Sequence, residues 1–183
     1  MIKDLIMKNR SCRRFYQETI IELEILKELV DLARLSASGS NSQPLKYILS
    51  YESHRNGLIF QNISLAGNPS EGERPSAYIV VLGDTKIRES FGCNHGIAAQ
   101  SILLGARDKG LGGCIIGAIK RDELRQSLSI LPQYEILLVI ALGKPKETVI
   151  IEAVSKDGNV QAWWDDNGVR HVPKRSLDEI IIG

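Results

Sequence analysis

Cysteine is scarce in these 183 residues, and the three present, Cys12, Cys93 and Cys114, form neither a disulfide framework nor a Cys-x-x-Cys pair. Histidine is equally sparse. Cys93, His95 and Cys114 would offer a metal only three ligands, one short of a closed tetrahedral site, so no metal is expected. Charge of one sign is missing as well. The formal net charge of +1 gives no reason to expect general nucleic-acid or anionic-membrane binding. The longest apolar run, Ile136 to Leu142, falls far short of the ~20 residues that cross a bilayer. The first ten residues carry Lys3, Asp4, Lys8 and Arg10, which interrupt any secretory h-region. A reducing cytoplasm is the expected location. Gly-x-Ser-x-Gly elbow, Walker loop and paired carboxylates are also missing, so no side chain stands out as acid, base or nucleophile. An enzyme without such groups borrows its chemistry from a cofactor.

What is present reads as one domain spanning 1–183, large enough for a single core. Ile2, Leu5 and Ile6 recur at helical spacing. Thr19-Ile-Ile-Glu22 has the form of a capping box, followed by an apolar stripe through Ile25, Leu26, Leu29, Val30 and Ala33 that should end near Ser36. Pro44 opens an extended run, Tyr47 to Tyr51. Residues 52–76 are polar and punctuated by glycine and proline, suggesting a short helix at Leu58 to Ile63 inside a mobile flap. Strands are expected at Tyr78–Leu82, Cys114–Ala118 and Ile136–Leu142. Helices are expected at Asn94–Lys109 and Lys120–Leu128. The first of these is apolar on more than one face, which calls for cover on two sides, and a partner subunit could supply the second. Gly110-Leu-Gly-Gly-Cys-Ile-Ile-Gly117 has the wrong spacing for a dinucleotide fingerprint; it suits a helix C-cap and tight turn. The tail from 145 to 183, with two tryptophans and Ile180 to Ile182, needs something to pack against.

Two segments carry chemistry. Arg10, Arg13 and Arg14 stand beside Ser11, and guanidinium groups with a hydroxyl suit a phosphate. Ser36-Ala-Ser-Gly-Ser-Asn-Ser-Gln-Pro44 supplies hydroxyls and the amides Asn41 and Gln43, which suit a polar ring edge. A solvated basic patch is the simpler account of the arginines alone. The Ser/Asn/Gln run, together with Lys174-Arg175, shifts the reading toward a phosphorylated cofactor.

These residues resemble a known family, the FMN-dependent nitroreductases. Arg10-Ser-Cys-Arg-Arg-Phe15 is similar to its N-terminal Arg-Ser-x-Arg-x-Phe, and Ser38-Gly-Ser-Asn-Ser-Gln-Pro44 to its Pro-Ser-x-x-Asn-x-Gln-Pro, with Ala37 in place of the first proline. Gly96 to Gln100 through Gly110 to Gly112 resembles the central-helix block, and Val172 to Arg175 the C-terminal clamp. The resemblance implies an α+β fold with a central, mostly antiparallel sheet flanked by helices. It also implies a homodimer in which the C-terminal arm is exchanged. FMN would lie at the dimer interface, with Arg10, Ser11, Lys174 and Arg175 on its phosphate. Arg13 would support the ring where negative charge builds on reduction. Ser38, Ser40, Asn41 and Gln43 would reach the ribityl chain and ring edge from the other subunit, and Gly96 and Gly113 would offer backbone near the ring.

The implied activity is ping-pong reduction of nitroaromatic, quinone or similar small-molecule acceptors, with NADH or NADPH delivering hydride to flavin N5. A non-catalytic flavin-binding or regulatory protein of this fold, or a reductive dehalogenase-type flavoenzyme, stands as the alternative. Asn9, Ala37 and Leu45 depart from the family pattern, and the missing aromatic residue at 45 alters a cavity wall.

Overall fold

A computed structural model describes residues 2–183. The apolar run at 136–142 becomes the middle of the longest strand, β5 (Tyr134–Pro145), which organises the sheet. On one side β5 pairs with β3 (Ala77–Asp84), and β3 pairs with β2 (Leu45–Ser50). On its other side β5 takes two short strands end to end: β4 (Gly112–Ile116), then β1 (Phe15–Tyr16). All four pairings are antiparallel. Every residue of β3 is buried, because both faces of the sheet are covered. Ile79, Val81, Ile140 and Leu142 face one core cluster. Tyr78, Val80, Val139 and Ala141 face the other, as the two-residue period of a strand requires.

The first cluster is roofed by α2 (Leu23–Leu35) and α4 (Asn94–Asp108). α2 buries Leu26, Leu29 and Ala33 at helical spacing and ends at Ser36, as its stripe predicts. Its start differs. Glu22 is itself the N-cap with no side-chain bond, and Thr19 closes a turn on the Tyr16 carbonyl (3.0 Å), so no capping box forms there. The box appears instead at the short α6 (Leu177–Ile180), between Ser176 and Glu179. α2 also supplies the second cover that the apolar α4 needs: a Cβ on Gly105 would collide with Leu32. α4 closes as expected of its glycine. Gly110, at φ +75°, donates to Arg107 and Leu111 donates to Ala106, a Schellman ending.

The second cluster is roofed by α3 (Ser53–Phe60) and α5 (Arg121–Ser127). The helix within 52–76 therefore begins five residues before its expected start at Leu58, and the segment after it is no free flap. The Glu73 and Gly72 carbonyls accept from Phe15 and Gln17 at 3.0 and 3.4 Å, and Ser64 donates to Ala118 at 2.9 Å. Polar composition concealed these backbone anchors, which any sequence can make.

The tail folds into a small sheet. β6 (Thr148–Ala153) runs parallel to β8 (Val169–Lys174), which pairs with β7 (Trp163–Trp164). Trp163 finds partners within its own chain: it stacks on His171 at 3.9 Å and donates to Glu152 at 2.7 Å. Ile180, Ile181 and Ile182 stay exposed. His171 also meets Glu152 (2.9 Å) and Asp165 (3.5 Å), and its bond to Glu152 is the main cause holding it above its ordinary value of 6.5.

A raised folded value stabilises the sheet fully below the unfolded imidazole range, and that contribution is lost as pH rises through it. Glu152 is held low, chiefly by Trp163, and Asp165 chiefly by the Val169 amide, so their contributions fade on acidification instead. Both tryptophans of the chain lie in this sheet, so tryptophan fluorescence reports on it. Urea unfolding followed by that signal is expected to show a lower midpoint at pH 8.5 than at pH 6, and a smaller difference in His171→Phe. An equal pH difference in that variant would refute this role of His171.

Candidate functional site

The residues singled out from the sequence gather in two places. The first lies where the chain leaves α1 (Ile2–Lys8) and passes the start of β4. The Cys12 amide donates to the Gly113 carbonyl at 2.9 Å, part of an isolated bridge that joins Ser11 to β4. Gly113 is a packing requirement. A Cβ there would sit 2.6 Å from both the Ala141 carbonyl oxygen and the Leu103 side chain. Arg10 donates back to the Ile6 carbonyl at 2.7 Å, while its Nε is buried with no partner; burial lowers its pKa. It lines a cavity of about 340 Å3 together with Lys8, Arg107 and Lys144. Glu147 is the carboxylate in that lining, and its Oε1 is taken by the backbone amides of Arg13 and Arg14.

Beyond Glu147 lies a smaller cavity of about 150 Å3, lined by Arg13, Gly67, Trp164 and Arg170 among others. Arg170 Nε and Glu147 Oε2 are buried without partners. Burial and then the charge of Arg13 lower the pKa of Arg170. Three arginines, Arg13, Arg14 and Arg170, thus line the cavity with one partly engaged carboxylate. Although Arg14 is also paired with Glu73 (3.5 Å), the balance favours an added acceptor. Cys12 is no nucleophile. Burial and the Glu147 carboxylate push its thiol up to about 12, and it donates to the Arg14 carbonyl at 3.2 Å. Burial likewise raises Cys114, opposed by Arg13 and Ser11.

The second place is the loop from Ser38 to Gln43. Ser40, Asn41 and Gln43 all adopt positive φ, at 54°, 50° and 48°. Such backbone is uncommon outside glycine, although asparagine tolerates it better than most residues. Cross-links hold it. Ser38 Oγ accepts from the Gln43 amide at 3.0 Å, and Asn94 Oδ1 accepts from Gly39 N at 2.9 Å. Arg88 also donates to the Gly39 carbonyl at 3.1 Å. The loop and Asn94 border a cavity of about 210 Å3 with Ala37, Leu45 and Tyr47. Gly96 lies in the first turn of α4, exposed, and a Cβ there would meet nothing.

These two places stand at opposite ends of α4. The loop docks on Asn94, and the basic cavity includes Arg107; at 1.5 Å per residue the separation is about 20 Å. Lys174, the last residue of β8, and Arg175 after it are exposed, and it is Arg170, four positions before Lys174, that lies beside Arg13. Sequence reasoning missed Asn94, Glu147 and Arg170. Asn94 opens a helix that was foreseen, and that was its available signal. Glu147 and Arg170 sit in no motif, and only tertiary pairing places them.

Fold and site together define an α+β protein with a basic, phosphate-suited cavity and a strained polar loop at the two ends of one central helix. The Nitroreductase family model matches residues 6–73 and 77–144, and the chain belongs to that family. A protein of Archaeoglobus fulgidus whose name couples NADH dehydrogenase with NAD(P)H nitroreductase is 29% identical over 152 residues, covering 78% of this chain and 84% of its own. A nitroreductase family protein from Streptococcus pneumoniae TIGR4 shares the fold over 100% of both chains, with a TM-score of 0.77 at 16% identity. A protein from Exiguobacterium sibiricum 255-15, solved in complex with FMN, matches with a TM-score of 0.72 at 17% identity, covering 80% of this chain and 89% of its own. No described helix is long and apolar enough to cross a membrane.

Proposed function

We propose that the chain is an FMN-dependent NAD(P)H oxidoreductase acting as a homodimer on small electron acceptors such as nitroaromatics or quinones. The observation that carries this reading is the basic cavity at Arg10, in a chain of this family. Its buried, unpartnered Arg10 Nε and its cluster of cations fit a phosphate. When bound, FMN would supply the redox chemistry, reduced by NAD(P)H and reoxidised by an acceptor in a ping-pong cycle. Arg10, Ser11 and the surrounding Lys8, Arg107 and Lys144 hold the phosphate, joined by Lys174 and Arg175 of the C-terminal arm. Arg13, backed by Arg170, supports the negative charge that grows on the ring. Ser38, Ser40, Asn41 and Gln43 contact the ribityl chain and ring edge, and Gly96 permits close approach.

The 20 Å separation along α4 supports a shared site. Two copies packing α4 antiparallel about a two-fold axis would bring the Asn94 end of one beside the Arg107 end of the other. The half-buried residues Ile97 and Leu104, with exposed Gly96 and Gln100, offer α4 a face for this.

A visible spectrum with and without added FMN, followed by NADH and NADPH oxidation with a quinone, tests the proposal. Flavin retention and turnover above that of free FMN are the expected result. Colourless protein that takes up no FMN would overturn the cofactor assignment, and flavin uptake without turnover would overturn the enzymatic one.

A further inference from the structure

α3, residues 71–76 and the link between β1 and α2 enclose a cavity of about 430 Å3 that shares no lining residue with either half of the flavin site. Its floor holds two polar groups without partners. The Tyr78 hydroxyl is buried, with the residue 1% exposed, and Arg74 Nε is buried beside it. Few buried polar atoms in a native fold are left this way, and each asks for an explanation.

The charge balance around Arg74 is uncompensated. Its guanidinium carbon sits over the Phe60 ring, 4.5 Å from the centroid, a contact that uses none of its N–H donors. Neighbouring Glu73 is taken by Lys146 (3.0 Å) and Arg14 (3.5 Å). Glu71, the carboxylate among the lining residues, is exposed. Gln17 accepts the Gly72 and Arg74 amides through Oε1, which turns its NH2 into a further donor. Burial keeps the Tyr78 phenol in its neutral, donating form. The remaining lining is mixed. Ser53, Asn56 and Ser76 are polar, with Asn56 already bonded to Ser50 and to the Ser76 carbonyl, while Tyr51 and Ile20, 38% and 76% exposed, present apolar surface.

We infer that this cavity binds a small aromatic carboxylate, its oxygens on Arg74 and Tyr78 and its ring against Tyr51 and Ile20. One guanidinium with neutral donors matches a monoanion rather than a phosphate dianion, and the size lies within the ordinary range for small-ligand pockets. The inference is independent of the flavin reading.

Calorimetric titration of the purified protein, carrying its own flavin, with benzoate, benzamide and inorganic phosphate tests it. Benzoate is expected to bind at least roughly tenfold more tightly than either of the others. Arg74→Met should weaken benzoate by about tenfold or more, and Tyr78→Phe, which keeps the ring, by about two- to tenfold. The flavin absorption should stay unshifted on benzoate addition. No benzoate binding, equal binding of benzamide, or affinity unchanged in both variants would overturn the site. So would a benzoate-induced flavin shift with unchanged affinity in the variants, because that places the ligand at the cofactor instead.

Discussion

Replacement of Arg10 by alanine is expected to weaken FMN binding by roughly 10- to 100-fold, read by titrating flavin fluorescence or absorbance. A hydrogen bond to a charged group contributes about 1.5–3 kcal/mol, and each 1.4 kcal/mol is tenfold in affinity. Arg10 is suited to such a loss because it already holds one donor on the Ile6 carbonyl while its Nε is buried and free. The same bond to Ile6 means that the variant also loosens the end of α1, so a thermal melt must accompany the titration. Arg10→Lys separates the two effects. It keeps the charge but not the planar fork, and should lie between wild type and alanine. Lys27→Ala removes one charge from the solvent face of α2, where Lys27 pairs with Glu24, and should leave FMN affinity unchanged. Full retention of FMN by Arg10→Ala would refute the phosphate assignment.

Much of this site is legible in the sequence, and its arrangement is not. The Arg10 to Arg14 segment and the Ser38 to Gln43 loop stand out because their residue types are unusual together. The strands at 78–82, 114–118 and 136–142 and the helix at 94–109 stand out through apolar patterning, and their observed bounds are close to those expected. Thr19 to Glu22 misleads because a capping motif is local, whereas the actual chain there is drawn into β1 and the following turn by pairing with β5. Residues 52–76 mislead for the opposite reason, since polar loops can be anchored through backbone alone. No residue pattern reveals that β4 and β1 share one edge of β5, which is what brings Ser11 to Gly113. Nor does the sequence show that α4 holds the two candidate segments apart. Under the proposed cofactor assignment, that separation calls for residues from two subunits.

The second large effect follows from this geometry. Pair the Arg10→Ala subunit with one carrying Ser38→Ala and Gln43→Ala, which removes the Ser38 Oγ to Gln43 bond shaping the loop along with the Gln43 amide. Each variant alone has both of its sites damaged. In a heterodimer of the two, a site shared between subunits combines the intact Arg10 end of one chain with the intact loop of the other, while both lesions fall in the opposite site. The measurement is direct: co-express the two variants with different affinity tags, purify through both tags, and measure flavin content and NAD(P)H oxidation. A shared site predicts about one tightly held FMN per heterodimer and activity near half that of wild type, against little of either in the parent variants. A heterodimer as poor in flavin as its parents, or a loop variant that keeps its full flavin, would contradict it.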